Sequence, residues 1–136
     1  MKILLMAFLL ICTSVASAQP AEKAQATSDP LIGTWRGPWD VAGGRHSGDM
    51  EIEARMVDDA NVQGRMKASY FNPRSTCSTA WETLSGTKKG DTFFARYDLG
   101  GGCGKVDVVF SIQGDVMSGT WANEHGRNGT FRLSKK

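Results

Sequence analysis

The stretch Leu31-Ile32-Gly33-Thr34-Trp35-Arg36-Gly37-Pro38-Trp39 opens the first structured segment of the chain. Side chains alternate between the two faces of an extended strand, so every second residue of the stretch shares one face. The residues on that face are Leu31, Gly33, Trp35, Gly37 and Trp39. Short alternating segments with tight turn signals follow, without a helical period and with 16 glycines in the chain. This pattern predicts an all-β fold whose first strand is Leu31–Trp39.

The next two predicted strands specify their own register. Met50–Met56 and Val62–Tyr70 alternate apolar and polar residues on either side of a turn at Asp58-Asp59. Centring a hairpin on that turn brings three pairs face to face: Glu53 with Arg65, Glu51 with Lys67, and Ile52 with Met66. Opposite charges across neighbouring strands contribute only about 0.2–1 kcal/mol each, but a one-residue slip would turn every side chain to the wrong face. We therefore expect this pairing in the folded protein.

The remaining chain continues the same pattern. Further strands are predicted at Trp81–Thr87, Thr92–Leu99, Lys105–Ile112, Val116–Trp121 and Gly129–Leu133. Eight consecutive strands joined by hairpin connections form an antiparallel meander, and closing the meander removes its exposed edges. We predict one small up-and-down β-barrel of about eight strands, spanning residues 31–136. The outer face of the first hairpin is charged, so insertion of the barrel into a membrane is not expected.

The beginning of the chain has the pattern of a secretory signal peptide. Lys2 precedes an almost unbroken apolar run, Ile3–Ile11, and Ala16-Ser17-Ala18 is a typical small-residue cleavage site. We predict a signal peptide at residues 1–18 that is cleaved after Ala18, with export to the periplasm or the extracellular space. Residues 19–30 carry no large apolar side chain, which predicts a disordered linker before the barrel.

Two cysteines, Cys77 and Cys103, remain after the signal peptide. An even pair in an oxidising compartment indicates a disulfide. The two residues are equally distant from Gly90, which lies in a predicted turn, so a hairpin would bring the sulfurs together at its open end. A bond that closes a loop of this length stabilises a protein by about 3–4 kcal/mol in the chain-entropy model.

The predicted connections differ between the two ends of the barrel. Those at one end are tight turns, whereas those at the other end are longer, and long loops on a rigid barrel are common binding sites. Aromatic side chains predicted near that end, as the apolar walls of a ligand site, are Trp39, Tyr70, Trp81, Tyr97 and Trp121. Arginines predicted to anchor the acidic head group of a small, partly apolar ligand are Arg45, Arg74 and Arg127.

Other interpretations fit the same residues. Side chains fill the interior of many small barrels, which would leave no cavity, and the long loops could instead bind a protein, as in a secreted hydrolase inhibitor. Without Lys2, 15 basic residues balance 14 acidic ones, so no nucleic-acid partner is expected. No catalytic or metal-binding motif is present, so neither a catalytic residue nor a metal or cofactor is predicted. A small barrel enzyme using His46 or His125 is a further alternative.

Gly33-Thr34-Trp35, at the start of an eight-stranded meander, resembles the opening of calycin-type barrels such as lipocalins, fatty-acid-binding proteins, avidins and nitrobindins. The resemblance implies that Gly33 and Trp35 are structural residues. In lipocalins an arginine near the end of the barrel packs against this tryptophan, and Arg132 is the matching residue. The loop around His125 departs from the haem-binding segment of nitrobindins, and after Trp81 only Trp121 remains for an avidin-like biotin site. Neither haem nor biotin is therefore expected.

Overall fold

The structure, a computed structural model, describes residues 28–43, 46–100 and 102–136. These residues form eight strands: β1 (Thr34–Val41), β2 (His46–Met56), β3 (Asn61–Ala68), β4 (Glu82–Lys89), β5 (Thr92–Asp98), β6 (Lys105–Gln113), β7 (Val116–Asn123) and β8 (Asn128–Lys135). Each strand pairs antiparallel with the next, and β8 pairs with β1, so the sheet closes. The predicted all-β, up-and-down barrel is confirmed.

Part of the predicted organisation lies beyond the described residues. The predicted signal peptide, residues 1–18, and most of the predicted linker, residues 19–30, fall there. Within the described ranges, no helix is long and apolar enough to span a membrane.

The β2–β3 hairpin has the predicted register. Its facing pairs are Glu53 with Arg65, Glu51 with Lys67, and Ile52 with Met66. On the outside, the Arg65 guanidinium lies 2.7 Å from the Glu53 carboxylate, and Lys67 Nζ lies 3.3 Å from the Glu51 carboxylate. The apolar pair is fully buried on the inside. The charge pairs outside and the apolar pair inside thus specify the same register.

A short segment before β1 closes the lower end of the barrel, the end that carries the tight turns. The strand begins at Thr34 rather than at Leu31, because the preceding residues turn beneath the barrel. Asp29 holds this turn: Oδ1 accepts a hydrogen bond from the Leu31 amide at 2.9 Å, and Oδ2 accepts one from the Met56 amide at 2.6 Å. Leu31 is fully buried, and its carbonyl accepts a hydrogen bond from Trp35 Nε1 at 2.9 Å. Asp29, assigned to the linker from the sequence, therefore contributes to the barrel.

Large apolar side chains fill the lower and middle interior. The fully buried ones include Trp35, Ile52, Met66, Leu84, Met117 and Leu133. Phe110 stacks on Phe93 with ring centroids 5.0 Å apart and meets Phe131 at a steep angle with centroids 6.3 Å apart. This part of the barrel is a packed core, as the filled-interior alternative predicted.

The cation that covers Trp35 is not Arg132, which the resemblance to lipocalins implied. The two neighbours of Arg132 on β8 are buried, so strand alternation turns Arg132 outward into solvent. Lys135 takes the position instead, with Nζ 5.4 Å from the centre of the Trp35 ring. Its side chain occupies the space that a Cβ on Gly33 would need, and Gly33 has a φ of +128° that other residues rarely adopt.

Candidate functional site

The upper end of the barrel encloses an open cavity of about 600 Å³. Along the strands, lining side chains come from the two inward-facing positions nearest the mouth, such as Trp39 and Val41 on β1, and Trp121 and Asn123 on β7. Below them, Ile52 on β2, Ala95 on β5 and Val108 on β6 are buried and do not line the cavity, so the core closes it from below. The interior is therefore filled in its lower part and open in its upper part.

Two indoles lie flat against the cavity wall. Trp39 faces Gly48 on β2, and its Nε1 donates a hydrogen bond beyond that strand to the carbonyl of Ser69 at 3.1 Å. Trp121 repeats this arrangement opposite Gly129 on β8 and donates to a carbonyl of β1 at 3.0 Å. A Cβ on either glycine would clash with the backbone carbonyl oxygen that accepts the indole hydrogen bond and would lie 2.7 Å from the indole nitrogen, so only glycine fits beside each ring. Since both N–H groups are bound to the backbone, the rings offer carbon surface to the cavity.

The wall continues as a series of aromatic contacts. The Trp39 ring meets Trp121 and Tyr70 edge to face, with centroids 5.6 Å and 5.5 Å apart. This geometry is the one that aromatic quadrupoles favour. Tyr97 lines the same cavity and is almost completely buried. The result is one connected aromatic surface.

Both tyrosines are neutral at physiological pH. Burial raises the pKa of Tyr70 to about 12. Burial also raises the pKa of Tyr97, and the neighbouring Tyr70 adds to that increase. The Tyr70 hydroxyl has no hydrogen-bond partner among the described residues. An unpartnered buried hydroxyl costs about 1–3 kcal/mol, so this oxygen does not stabilise the fold.

The charged side chains that line the cavity are cationic in the part of the chain that the structure describes. Arg74 comes from the β3–β4 connection and Arg127 from the β7–β8 turn, and no described lining residue is acidic. Asn123 shapes that turn, because its Oδ1 accepts hydrogen bonds from the amides of His125 at 3.1 Å and Arg127 at 2.8 Å. Neither arginine forms an ion pair with another described residue. Among the described lining residues, positive charge therefore lies above apolar walls.

A disulfide joins two of the loops around the mouth. Cys77 and Cys103 are bonded as predicted, with their Cα atoms 5.3 Å apart, and both line the cavity. Beside the bond, the Ser78 amide donates to the Leu99 carbonyl at 3.2 Å. The β3–β4 connection, which carries Arg74, is thus held against the β5–β6 connection.

The structure brings together most of the residues predicted for the ligand site. Those that line the cavity are Trp39, Tyr70, Tyr97, Trp121, Arg74 and Arg127. The prediction for Trp81 was wrong. Its ring lies on the outer wall, 4.3 Å from the Arg65 guanidinium and 4.6 Å from Lys67 Nζ. Leu84 faces the core, so strand alternation turns Trp81 outward toward these cations.

Other parts of the prediction are untested or incomplete. Arg45 and the side chain of His46 lie outside the described residues, whereas His125 lies at the mouth. The described residues contain no group of three side chains that could hold a metal ion. Sequence reasoning missed the floor of the cavity, which is formed by Met50, Ala68 and Val106. The alternation that turns these side chains inward was visible in the sequence. The height at which the interior opens was not, because it depends on the orientation of the two indole rings.

No protein-family model matches the sequence, and no curated protein matches it significantly. A redesigned β-barrel superposes with a TM-score of 0.60 at 15% identity, covering 79% of this chain and 92% of that chain. A second redesigned barrel, mFAP1 bound to DFHBI, superposes with a TM-score of 0.61 at 14% identity, covering 78% and 95%. Secretory abundant heat soluble protein 4 from Ramazzottius varieornatus gives a TM-score of 0.45 at 13% identity, covering 83% and 99%. The likeness to the two redesigned barrels shows the fold.

Proposed function

We propose that this protein is an exported, non-enzymatic binding protein of calycin-like architecture. Its ligand is a small, partly apolar molecule with an acidic group, held in the cavity at the upper end of the barrel. The observation that carries the proposal is the combination of aromatic walls with two arginines, and no carboxylate, among the described residues that line the mouth. Ring surfaces favour an apolar body, and guanidinium groups match the geometry of a carboxylate.

Two further observations support the proposal. The signal-peptide pattern and the disulfide between Cys77 and Cys103 are those of an exported protein. One barrel of similar fold is bound to DFHBI, which is compatible with ligand binding inside such a barrel. We propose binding without catalysis because aromatic carbon surface lines the cavity and the sequence carries no catalytic motif.

The test is calorimetric titration of the mature protein with a panel of fatty acids and aromatic acids. Trp121→Phe and Trp81→Phe form a matched pair, since both remove an indole but only Trp121 lines the cavity. We expect saturable binding of at least one acid, weakened roughly tenfold by Trp121→Phe, the loss of about 1.4 kcal/mol, and unchanged by Trp81→Phe. Trp121→Phe should also reduce the quenching of tryptophan fluorescence by the ligand, whereas Trp81→Phe should leave it unchanged.

Equal effects of the two substitutions would contradict the proposal, because binding would then not involve the cavity. If no acid binds, the protein-binding alternative gains support. That alternative predicts capture of a protein partner that is lost when residues 122–128 are scrambled.

A further inference from the structure

The depth of the cavity limits the length of what can enter it. On and just beyond β5 the lining consists of Tyr97 and Leu99, whereas the next inward residue, Ala95, is buried below the cavity and does not line it. A strand rises about 3.3 Å per residue and tilts by about 35–45° in a barrel, so two inward layers correspond to a depth of roughly 10 Å. The floor below that depth is closed, since Met50 is 2% exposed and Ala68 is 5% exposed.

The wall of the cavity favours a flat, rigid ligand over a flexible one. Trp39 and Trp121 present carbon surface, because their N–H groups are held by backbone carbonyls. Aromatic rings gain from offset or edge-to-face contact with such surfaces. A rigid ring system also loses less conformational entropy on binding than an acyl chain does.

The charge at the mouth favours an acid whose ionised group stays near solvent. Arg74 and Arg127 are exposed and have no acidic neighbour among the described lining residues. A carboxylate attached directly to a short ring system would remain within reach of these arginines while the rings occupy the shallow cavity. The long chain of a fatty acid would fill the same depth and leave most of its length outside.

We propose that the ligand of this site is a compact, planar aromatic carboxylate, about as large as two fused rings, rather than a long-chain fatty acid. The inference rests on the proposed function and adds the ligand class. The rings lie against Trp39 and Trp121, above the floor at Ala68, and the carboxylate pairs with Arg74 or Arg127.

The test compares three probes on the mature protein by calorimetry: 2-naphthoate, its neutral analogue 2-naphthylmethanol, and palmitate below its micelle concentration. We expect naphthoate to bind with one-to-one stoichiometry. Its dissociation constant should be lower than that of each of the other two by roughly tenfold or more, as expected for a charge-assisted hydrogen bond. The Arg74→Gln, Arg127→Gln double variant should weaken naphthoate and leave naphthylmethanol unchanged.

A second set of variants tests the depth. Ala68→Leu raises the floor and should weaken naphthoate roughly tenfold through overpacking. Ala60→Leu is the matched control, because Ala60 is exposed in the tight β2–β3 turn at the opposite end of the barrel. A cooperative thermal unfolding transition shows that each variant is folded. The comparison of the three probes on the unsubstituted protein does not depend on whether the variants fold.

The outcomes separate this inference from the proposed function. If palmitate binds more tightly than naphthoate and Trp121→Phe weakens it, the cavity is a ligand site and the inferred class is wrong. Equal affinity for naphthoate and naphthylmethanol also overturns the inference, because the arginines would not select an acid. If none of the probes binds and the wider acid panel also fails, both proposals are rejected.

Discussion

The lower half of the barrel is filled with side chains, whereas the upper half encloses a cavity, although the same eight strands build both. In the lower half, Trp35 is fully buried and donates its indole hydrogen bond to the turn that closes the barrel. In the upper half, Trp39 and Trp121 have the same residue type and also donate to backbone carbonyls. These two lie flat against glycines and leave space beside them.

The cavity therefore arises from the placement of large side chains rather than from their absence. A tryptophan that points toward the barrel axis fills the interior, as Trp35 does. A tryptophan opposite a strand glycine can lie along the wall, as Trp121 does opposite Gly129. Core packing should therefore stabilise the fold mainly in the lower half, whereas ligand binding should depend on the upper half.

The largest expected effect is that of Trp35→Ala. Truncating a fully buried tryptophan typically costs about 3–5 kcal/mol of unfolding free energy, and here it also removes the hydrogen bond to Leu31. Trp39→Ala should cost clearly less, because Trp39 is only partly buried. Urea unfolding measures both values, and equal losses would show that the two halves share the stability.

The disulfide should contribute the next largest effect. It closes a loop with a sequence separation of 26 residues, so replacing Cys77 and Cys103 together with serine should lower the unfolding free energy by about 3–4 kcal/mol. Because the bond joins two loops of the mouth, the same double variant should also weaken ligand binding. A lower-half substitution that lowers the unfolding free energy by as much should leave the affinity of the folded protein unchanged. Reduction of the unmodified protein is the control and should reproduce both effects.

The sequence was sufficient for the layout of the barrel. Period-two alternation and the charge pairs Glu53–Arg65 and Glu51–Lys67 specified one register, because a one-residue slip would have buried the charges and a two-residue slip would have separated the pairs. The disulfide could be predicted from its symmetric spacing about Gly90. Each signal is contained within one hairpin, because its partners are placed symmetrically about a single turn.

The remaining features depend on where each strand begins and ends and on how it pairs with its neighbours. Trp81 was predicted to line the cavity because it is aromatic and near the mouth, but it precedes β4 on the outward side of the alternation that buries Leu84. The covering of Trp35 by Lys135 rather than Arg132 likewise follows from where β8 ends. The pairing of Trp121 with Gly129 was visible in the sequence only once the β7–β8 register was known.

Alkaline pH should reveal the burial of the upper tyrosines. The pKa of Tyr70 is raised from its ordinary value of 10.0 to about 12, and the pKa of Tyr97 is raised as well. The unfolded chain therefore loses its tyrosine protons first, so the contribution of the two tyrosines to stability is constant below pH 10 and falls as the pH rises from 10 to about 12. Thermal unfolding of the native protein and of the Tyr70→Phe, Tyr97→Phe variant should diverge in that range.

The comparison of these two curves isolates the tyrosines, because lysines titrate in the same range in both proteins. Tyr70→Phe alone should be neutral or slightly stabilising near pH 7. The hydroxyl that it removes has no partner among the described residues. A marked loss of stability at neutral pH would instead mean that this hydroxyl is hydrogen-bonded in the folded protein.

The smallest expected effect lies on the outer wall, where Arg96 Nε and Nη2 donate to the two carboxylate oxygens of Asp107 at 2.6 Å and 2.9 Å. The hydrogen bond from Arg96 lowers the pKa of Asp107, so its contribution is present above the ordinary value of 3.8 and is lost as the pH falls below it. Both side chains are more than half exposed, and solvent screens such pairs strongly. Asp107→Asn should therefore leave the urea midpoint at pH 7 almost unchanged, and any small difference should disappear in high salt. A loss comparable to that of Trp35→Ala would mean that the outer wall stabilises the barrel as much as the lower core does.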